Sequence, residues 1–383
     1  MAALKNSIAV TMGDGGIGSL PLGEDYICGL ACQSTTKPSG YSTDSIKLVY
    51  TLEQAEALGL TAALFPTIHY QVTEYFRLLD KWGVSGLLYL GFFNIVTANY
   101  DGTEIATMQT FAEGKLRFCG VFLNGTWASS DATDANTVAE ALNLAGTPLS
   151  VFMAGKVSSF SSPVDIRALN VKWVTMVAGM DGDTAGVARK DAAIGAMLAA
   201  QAYAKVSENV GAVAKFDLTG GTELQTLALC DGTLVSTLTA AQIDALNDKG
   251  WAVIIKRAPS GSYWYDCPTG SLTTSDYNFQ ERNRVASKAK RLIIDNLSVW
   301  QNAQLDVDPT TGFMSYSQIT KLLTCCDKVK NLMVNAGEIA GMLFTISPTQ
   351  NINVTPTVYI TCKIVPNGIG KTFNIDLTFT TKI

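Results

Sequence analysis

Histidine is almost missing from this chain: His69 is its single histidine in 383 residues. That excludes the His-based nucleophilic triads, the His-rich zinc sites and the commonest general base. His69 itself falls on the face of an expected helix beside Tyr70, a position that suits a structural histidine better than a catalytic one. Charge is also scarce. Asp, Glu, Lys and Arg make up 16% of residues and leave a net charge of −5, which argues against a general nucleic-acid binder. A surface so thinly charged suits a chain that covers much of itself with partners. No window approaches eighteen uninterrupted apolar residues, so no membrane span or membrane anchoring is expected. The start, Met1-Ala-Ala-Leu-Lys-Asn-Ser, leads into only a short apolar run broken by Gly13-Asp-Gly-Gly16; no secretion signal is read there, and synthesis in the cytoplasm is expected. Walker and Gly-x-Ser-x-Gly motifs, internal repeats and low-complexity tracts are missing as well.

The eight cysteines are scattered without regular spacing, as expected of reduced and mostly buried thiols. Cys28 and Cys32 form one pair with no second pair at zinc spacing, and Cys325 and Cys326, adjacent on a helix, point apart. Gly13-Asp-Gly-Gly-Ile-Gly18 matches the letters of the dinucleotide fingerprint. It runs into Ser-Leu-Pro-Leu-Gly-Glu-Asp, however, which opens no amphipathic helix to face a pyrophosphate. A flexible leash for a short strand at 6–12 accounts for it better. Asp181-Gly-Asp183 is the best carboxylate pair, placed after a strand where α/β proteins bind ligands, yet Gly182, Thr184 and Gly186 also make it an ordinary turn. Neither cofactor nor metal is implied by any of these residues.

What the chain does have is length and apolar content: 383 residues, 47% hydrophobic, enough for two or three domains. Strands are expected at 26–31, 45–50 and 86–93. A short helix capped by Thr51 and closed by Gly59 follows the second of them, and a helix at 69–81 carries Val72, Phe76 and Leu79 on one face. From Leu116 strands at 116–123, 148–154 and 171–178 alternate with helices near 134–145, 163–168 and 190–206, a parallel α/β pattern with apolar strands covered on both faces. A helix over 240–250 precedes a strand at 251–256, and long helices are expected at 276–300 and 317–339, the latter ending at Gly341.

The last stretch, 357–379, organises the rest. Phe373, Ile375, Leu377 and Phe379 alternate with Asn374, Asp376 and Thr378, the period of a strand with one wet face. Pro366-Asn-Gly-Ile-Gly370 makes the preceding run and this one either a hairpin or a strand followed by an extended arm. With only 380–383 after it, the final strand either belongs to the chain's own sheet or completes a neighbour's by strand addition.

Several stretches together resemble the tail sheath proteins of contractile phages and related injection machines. They are Lys249-Gly-Trp-Ala-Val-Ile-Ile-Lys256, Gly261-Ser-Tyr-Trp-Tyr-Asp266, Thr269, Ser275-Asp-Tyr277 and Arg284-Val-Ala-Ser-Lys-Ala-Lys-Arg291. Leu322-Leu323 through Ile339-Ala-Gly341 is similar to the family's tube-side helix, Ile364-Val-Pro366 with the alternating run to its C-terminal arm, and Tyr70–Phe76 followed by Leu87–Leu90 to its early helix and strand. The likeness is good over about the last 140 residues and loose over the first 100. Asp266-Cys-Pro-Thr269 departs from the family's arginine-threonine pair after the tryptophan, which places the chain in a divergent branch.

The resemblance implies an α/β (α+β overall) sheath-type fold, with a mixed α/β domain, a C-terminal α+β domain and exchanged terminal β-strand arms. Its division would be an N-terminal strand arm and linker at 1–20, the first part of the sheath core at 21–100, an α/β domain at 101–235, a C-terminal sheath domain facing the tube at 236–365, and a C-terminal strand arm at 366–383. It implies a non-enzymatic subunit polymerising as stacked hexameric rings around an inner tail tube protein, capped by baseplate and tail terminator proteins. The particle would be a virion tail or a cytoplasmic injection machine that drives the tube through a target envelope, and no nucleic acid is bound. Ile8 and Val10 would pair in the N-terminal arm, and Phe373, Ile375, Leu377 and Phe379 in the C-terminal one. Lys321, Thr324, Lys328, Asn331 and Asn335 form the polar stripe of helix 317–339, either a solvated face or a tube contact. Arg282, Arg284, Lys288, Lys290 and Arg291, opposed only by Glu281, form a basic patch that either faces solvent or pairs with a neighbour's acids. Two rival readings stand beside this one: another self-assembling tail protein of tube or baseplate, and an α/β enzyme using Asp181 and Asp183.

Overall fold

Strands that are apolar on both faces need cover on both, and the chain builds a seven-stranded sheet that has it. In the computed structural model the described residues are 24–42, 45–94, 100–155, 157, 159–182, 191–257 and 261–375. Ile8 and Val10, the glycine-rich 13–18 stretch, Asp183, Leu377 and Phe379 lie outside them. The first half contributes β1 (Cys28–Ser34), β2 (Ile46–Val49), α1 (Leu52–Ala57), α2 (Pro66–Lys81), β3 (Leu88–Asn94), α3 (Thr103–Phe111), β4 (Phe118–Phe122), α4 (Ser129–Leu144) and β5 (Ser150–Ala154). Then come β6 (Val174–Val177), β7 (Gly179–Asp181), α5 (Ile194–Tyr203), β8 (Leu227–Leu229), α6 (Ala240–Asp248), β9 (Trp251–Ala252), β10 (Ile254–Lys256) and β11 (Ser262–Trp264). The last part is α7 (Gln280–Leu297), α8 (Tyr316–Asn335), β12 (Ile339–Ile346) and β13 (Ile360–Pro366).

The main sheet runs β2-β3-β1-β4-β5-β6-β9, with every pair parallel except the edge pair β2–β3. β1, β4, β5 and β6 are buried at every residue, as central parallel strands between helix layers must be. Alternate side chains separate the layers. A Cβ on Gly29 would meet Met108 of α3, whereas one on Gly120 would meet Leu198 and Ile194 of α5. α5, reading Ile-Gly-Ala-Met-Leu-Ala-Ala-Gln-Ala-Tyr, is small and apolar all round, and every residue but Tyr203 is buried. α2 crosses it so closely that a Cβ on Gly195 would lie 1.9 Å from the Gln71 carbonyl oxygen. The Gln71 side chain fills the same junction: its amide oxygen accepts from Gly195 N–H (2.8 Å) and its amide nitrogen donates to the Ala192 carbonyl (3.1 Å). One of the orphan N–H groups at the start of α5 is thereby satisfied.

Several local expectations hold. The Thr51 hydroxyl accepts from Gln54 N–H at the start of α1. On α2, Val72 and Leu79 are buried. Others are corrected. Only a single 3₁₀ turn, Arg167–Leu169, stands where a helix is expected at 163–168. The expected strand at 251–256 is two: Trp251–Ala252 joins the main sheet, and Ile254–Lys256 pairs with β11. α3 had no counterpart in the sequence reading. The main sheet takes strands from both 21–100 and 101–235, and residues 251–252 also contribute to it.

A second, smaller core lies beyond this sheet. Val285 and Ala289 of α7, Cys326, Val329 and Met333 of α8, and Ile339, Met342 and Phe344 of β12 form it with Val206. α8 ends at Asn335, not at Gly341. Gly337 takes a positive φ of 69°, its N–H bonds the Val334 carbonyl and the Glu338 N–H bonds the Met333 carbonyl, the two bonds of a Schellman stop. Ile339 therefore begins a strand. β12 and β13 pair antiparallel from Ile346↔Ile360 to Ile339↔Pro366, with a bulge between Ile339 and Gly341. Of the run 357–366, residues 360–366 pair with β12, and residues 371–375 are in no strand. The second half of the final alternating run, 376–379, lies outside the described residues.

Candidate assembly surfaces

On α8 the apolar stripe is inward: Ile319, Leu322, Cys326, Val329 and Met333 are buried and Leu323 is partly so. Lys321, Thr324, Lys328, Asn331 and Asn335 are all exposed. Lys321 reaches Asp306 at 3.2 Å; both partners are more than half exposed, so the pair contributes little. Leu332 and Val334 lie exposed beside this polar stripe, giving it an apolar edge.

β12 and β13 make a sheet of only two strands, so among the described residues each has an unpaired outer edge. One face, Met342, Phe344, Ile346, Ile360, Cys362 and Ile364, packs on α7 and α8 or the loop beside them. The other leaves Leu343 57% and Val365 58% exposed. Beyond β13, Phe373 and Ile375 are more than 80% exposed. Open edges and bare apolar side chains on one protein are the features that strand addition consumes. The terminal runs are legible in the sequence as alternating strands; β12 is not, since its first residues, 339–341, fall in the expected helix.

The basic residues of α7 are not opposed by Glu281 alone. Asp25, which is 259 positions before Arg284 in the chain, accepts from Lys288 (2.6 Å) and Arg291 (2.8 Å), and Lys288 also pairs with Glu338. Burial would raise the Asp25 carboxyl, but Lys288 and the two arginines outweigh it and hold the group low. Arg284 is buried: it donates to the Gln201 side chain at 2.9 Å and to the carbonyls of Asp25 and Ala204, with Phe118 beneath it. Burial lowers its pKa, and lowers that of Arg291 to about 10 with help from nearby Arg117. Lys290 donates to the Asn143 carbonyl. Only Arg282 is exposed, 3.3 Å from Asn278. Four of the five cations are therefore engaged within the chain, tying α7 to the start of the main domain, to α4 and to the start of β12.

The remaining candidates lie elsewhere. Asp181 is buried at the end of β7 and accepts from the Tyr70 hydroxyl at 2.7 Å; burial drives that phenol well above its ordinary range. His69 Nε2 lies 2.7 Å from Glu56 on the surface of α2. The Cys28 thiol, on β1, meets the Tyr75 hydroxyl, and burial pushes it up to about 12. No group of three or more His, Cys, Asp or Glu is arranged to hold a metal among the described residues, and no helix among them is long and apolar enough to cross a membrane.

No family model and no curated protein matches this sequence. Solved structures do. A chain of the contracted helical sheath of the anti-feeding prophage superposes with a TM-score of 0.63 at 15% identity, covering 100% of both chains. A chain of the six-fold symmetrised baseplate of the same particle gives 0.63 at 13% identity, over 99% of this chain and 100% of that one. The sheath tail protein of Desulfitobacterium hafniense gives 0.55 at 10% identity, over 94% and 100%. The described residues have the fold of contractile sheath proteins. The chain's neighbours are chains of contractile sheaths and a baseplate and a sheath tail protein, all at low sequence identity.

Proposed function

We propose that the chain is the structural subunit of a contractile sheath, polymerising with copies of itself as stacked six-membered rings around an inner tube. Full-length agreement with a sheath chain, 100% of each, is the observation that carries this reading. The two-stranded β12–β13 sheet supports it with the part the assembly needs: two open edges beside an exposed apolar face. We place there the terminal strands of neighbouring copies, the segment 6–12 with Ile8 and Val10 and the segment 372–379 with Phe373, Ile375, Leu377 and Phe379. Main-chain hydrogen bonds would join subunits firmly while flexible leashes let them rotate without parting.

On this reading the exposed stripe of α8 from Lys321 to Asn335 faces the tube. Its contacts are few and polar, as suits an interface that releases on contraction. Arg282 is the member of the α7 patch left to meet a neighbour. The chain performs no catalysis; contraction rearranges contacts between subunits to a lower free energy. Baseplate and terminator proteins would close the two ends of the stack, in a virion tail or an injection particle assembled in the bacterial cytoplasm. An equally close superposition on a baseplate chain supports a second reading, a ring of the same kind at the baseplate. Deleting residues 372–383 tests the assembly. A sheath subunit loses polymerisation and remains a soluble folded monomer, whereas an enzyme loses stability or nothing.

A further inference from the structure

The segment leaving β13 is fixed to the body at one charged point. Residues 367–375 are all exposed. Asn367 donates to the Gly337 carbonyl at 2.7 Å, and Lys371 Nζ reaches Asp266 at 2.5 Å while lying 3.1 Å from the centre of the Phe279 ring. Clefts of about 210 and 460 Å³ flank Lys371, the first lined by Phe279, Glu281 and Val285, the second by Asn209, Val213 and Arg257. The segment is a strap held by its lysine, not a packed strand.

The seat of that lysine is unusual. Asp266 and Glu281 are both buried and share one neutral donor: Asn209 Nδ2 lies 2.6 Å from Asp266 and 3.4 Å from Glu281. Glu281 Oε2 has no hydrogen-bond partner. Two carboxylates without a cation in such a place repel each other and are poorly solvated, so withdrawing Lys371 has to be answered by a proton. We propose that Asp266, Glu281 and the Phe279 ring form a socket for Lys371, and that the charge on Glu281 decides whether the C-terminal strap is held against the body or let go.

The linkage has a definite sign. Burial, then repulsion from Asp266, raises the Glu281 carboxyl to about 7, and Lys371 opposes that rise. Seating the lysine therefore favours the ionised acid, and the ionised acid favours seating. Above about pH 7 the strap is held; below it Glu281 takes up a proton and the hold weakens to the Asp266 pair alone. The other charged or titratable groups facing this site are Cys267, whose thiol both acids push up further, Arg284 one turn along α7, Arg167 and Tyr265 beside Asp266, and Arg257 and Arg282, which line the two clefts and, being arginines, stay charged throughout. Arg167 and Arg284 are buried, and none of these arginines titrates in this window. The strap carries Phe373 and Ile375, so if the assembly reading holds, the socket controls when the arm becomes available; the socket itself requires only the folded chain.

Trypsin reads the seat directly, because it must draw Lys371 out to cut after it. The dilute, unassembled full-length chain is cleaved beside a free peptide of residues 368–375, and the Lys371–Thr372 rate is taken as a ratio to that of the peptide. For the wild type this ratio rises roughly fivefold between pH 8.5 and pH 6.5. Glu281→Gln starts at the raised level and shows no pH dependence, and Asp266→Asn exceeds both. Circular dichroism checks that each variant is folded, and Glu281→Gln alone suffices if Asp266→Asn is not. A wild-type ratio that does not change with pH, or a Glu281→Gln protein that still shows the wild-type change, overturns the proposal. Neither outcome depends on whether the chain polymerises.

Discussion

Gln71 and Gly195 show how much of this fold hangs on single residues. The Gln71 amide bridges α2 to the start of α5, and its own backbone oxygen leaves no space for a side chain at position 195. Gly195→Ala forces two closely packed helices apart and is expected to destabilise by about 3 kcal/mol or more, seen as a lowered urea midpoint. Glu281 gives a test of opposite sign. Its folded pKa of about 7 lies above the roughly 4.3 of an unfolded glutamate, so the folded chain holds the proton more tightly. Stability from this group is full below about pH 4 and falls as pH rises towards 7. Glu281→Gln, which never ionises, is expected to raise the melting temperature at pH 8 and to lose that advantage as the pH falls towards 4. None of this was legible beforehand. Glu281 reads as a surface acid on a basic helix, and its neighbour Asp266 stands at a turn with no sign of burial. The same holds for Asp25, whose partners lie at the other end of the chain.

At the scale of elements, legibility followed periodicity. β1, β4, β5 and β6 were readable because strands buried on both faces are short apolar runs bounded by turn residues. α3 was not: Thr-Glu-Ile-Ala-Thr-Met-Gln-Thr-Phe shows little amphipathic contrast, and it buries Glu104 and Gln109 alongside Ile105 and Met108. β12 is hidden for a specific reason. The bulge between Ile339 and Gly341 breaks its alternation at the start, and Ile339 keeps helical spacing from α8, so the expected helix runs past the stop at Gly337 to Gly341. That strand carries the element-level test. Leu343→Lys alters a side chain on the open face of the β12–β13 sheet, so the monomer is expected to keep its stability within about 0.5 kcal/mol while polymerisation is lost. Phe373→Asp with Ile375→Asp is expected to do the same from the donor side. Sedimentation of assembled material, compared with the denaturation midpoint of the unassembled chain, separates the two effects.

The whole molecule joins a large parallel-sheet domain to a small two-helix, two-strand domain through α7. Ion pairs fix that joint: Lys288 lies between Asp25, just before β1, and Glu338, just before β12. The small domain carries the open sheet edges on its strand side and the polar stripe of α8 on its helix side, so the surfaces proposed to meet neighbours and tube are held by the part with the smaller core. Rigid subunits with exchangeable edges suit a lattice that moves without coming apart. Electron microscopy of the purified chain at high concentration, with light scattering, tests this most directly, using the 372–383 deletion as its control. Tubes or stacked rings of uniform width, lost on deletion, are the expected result. A monodisperse monomer at high concentration, with scattering unchanged by the deletion, would contradict the assembly reading.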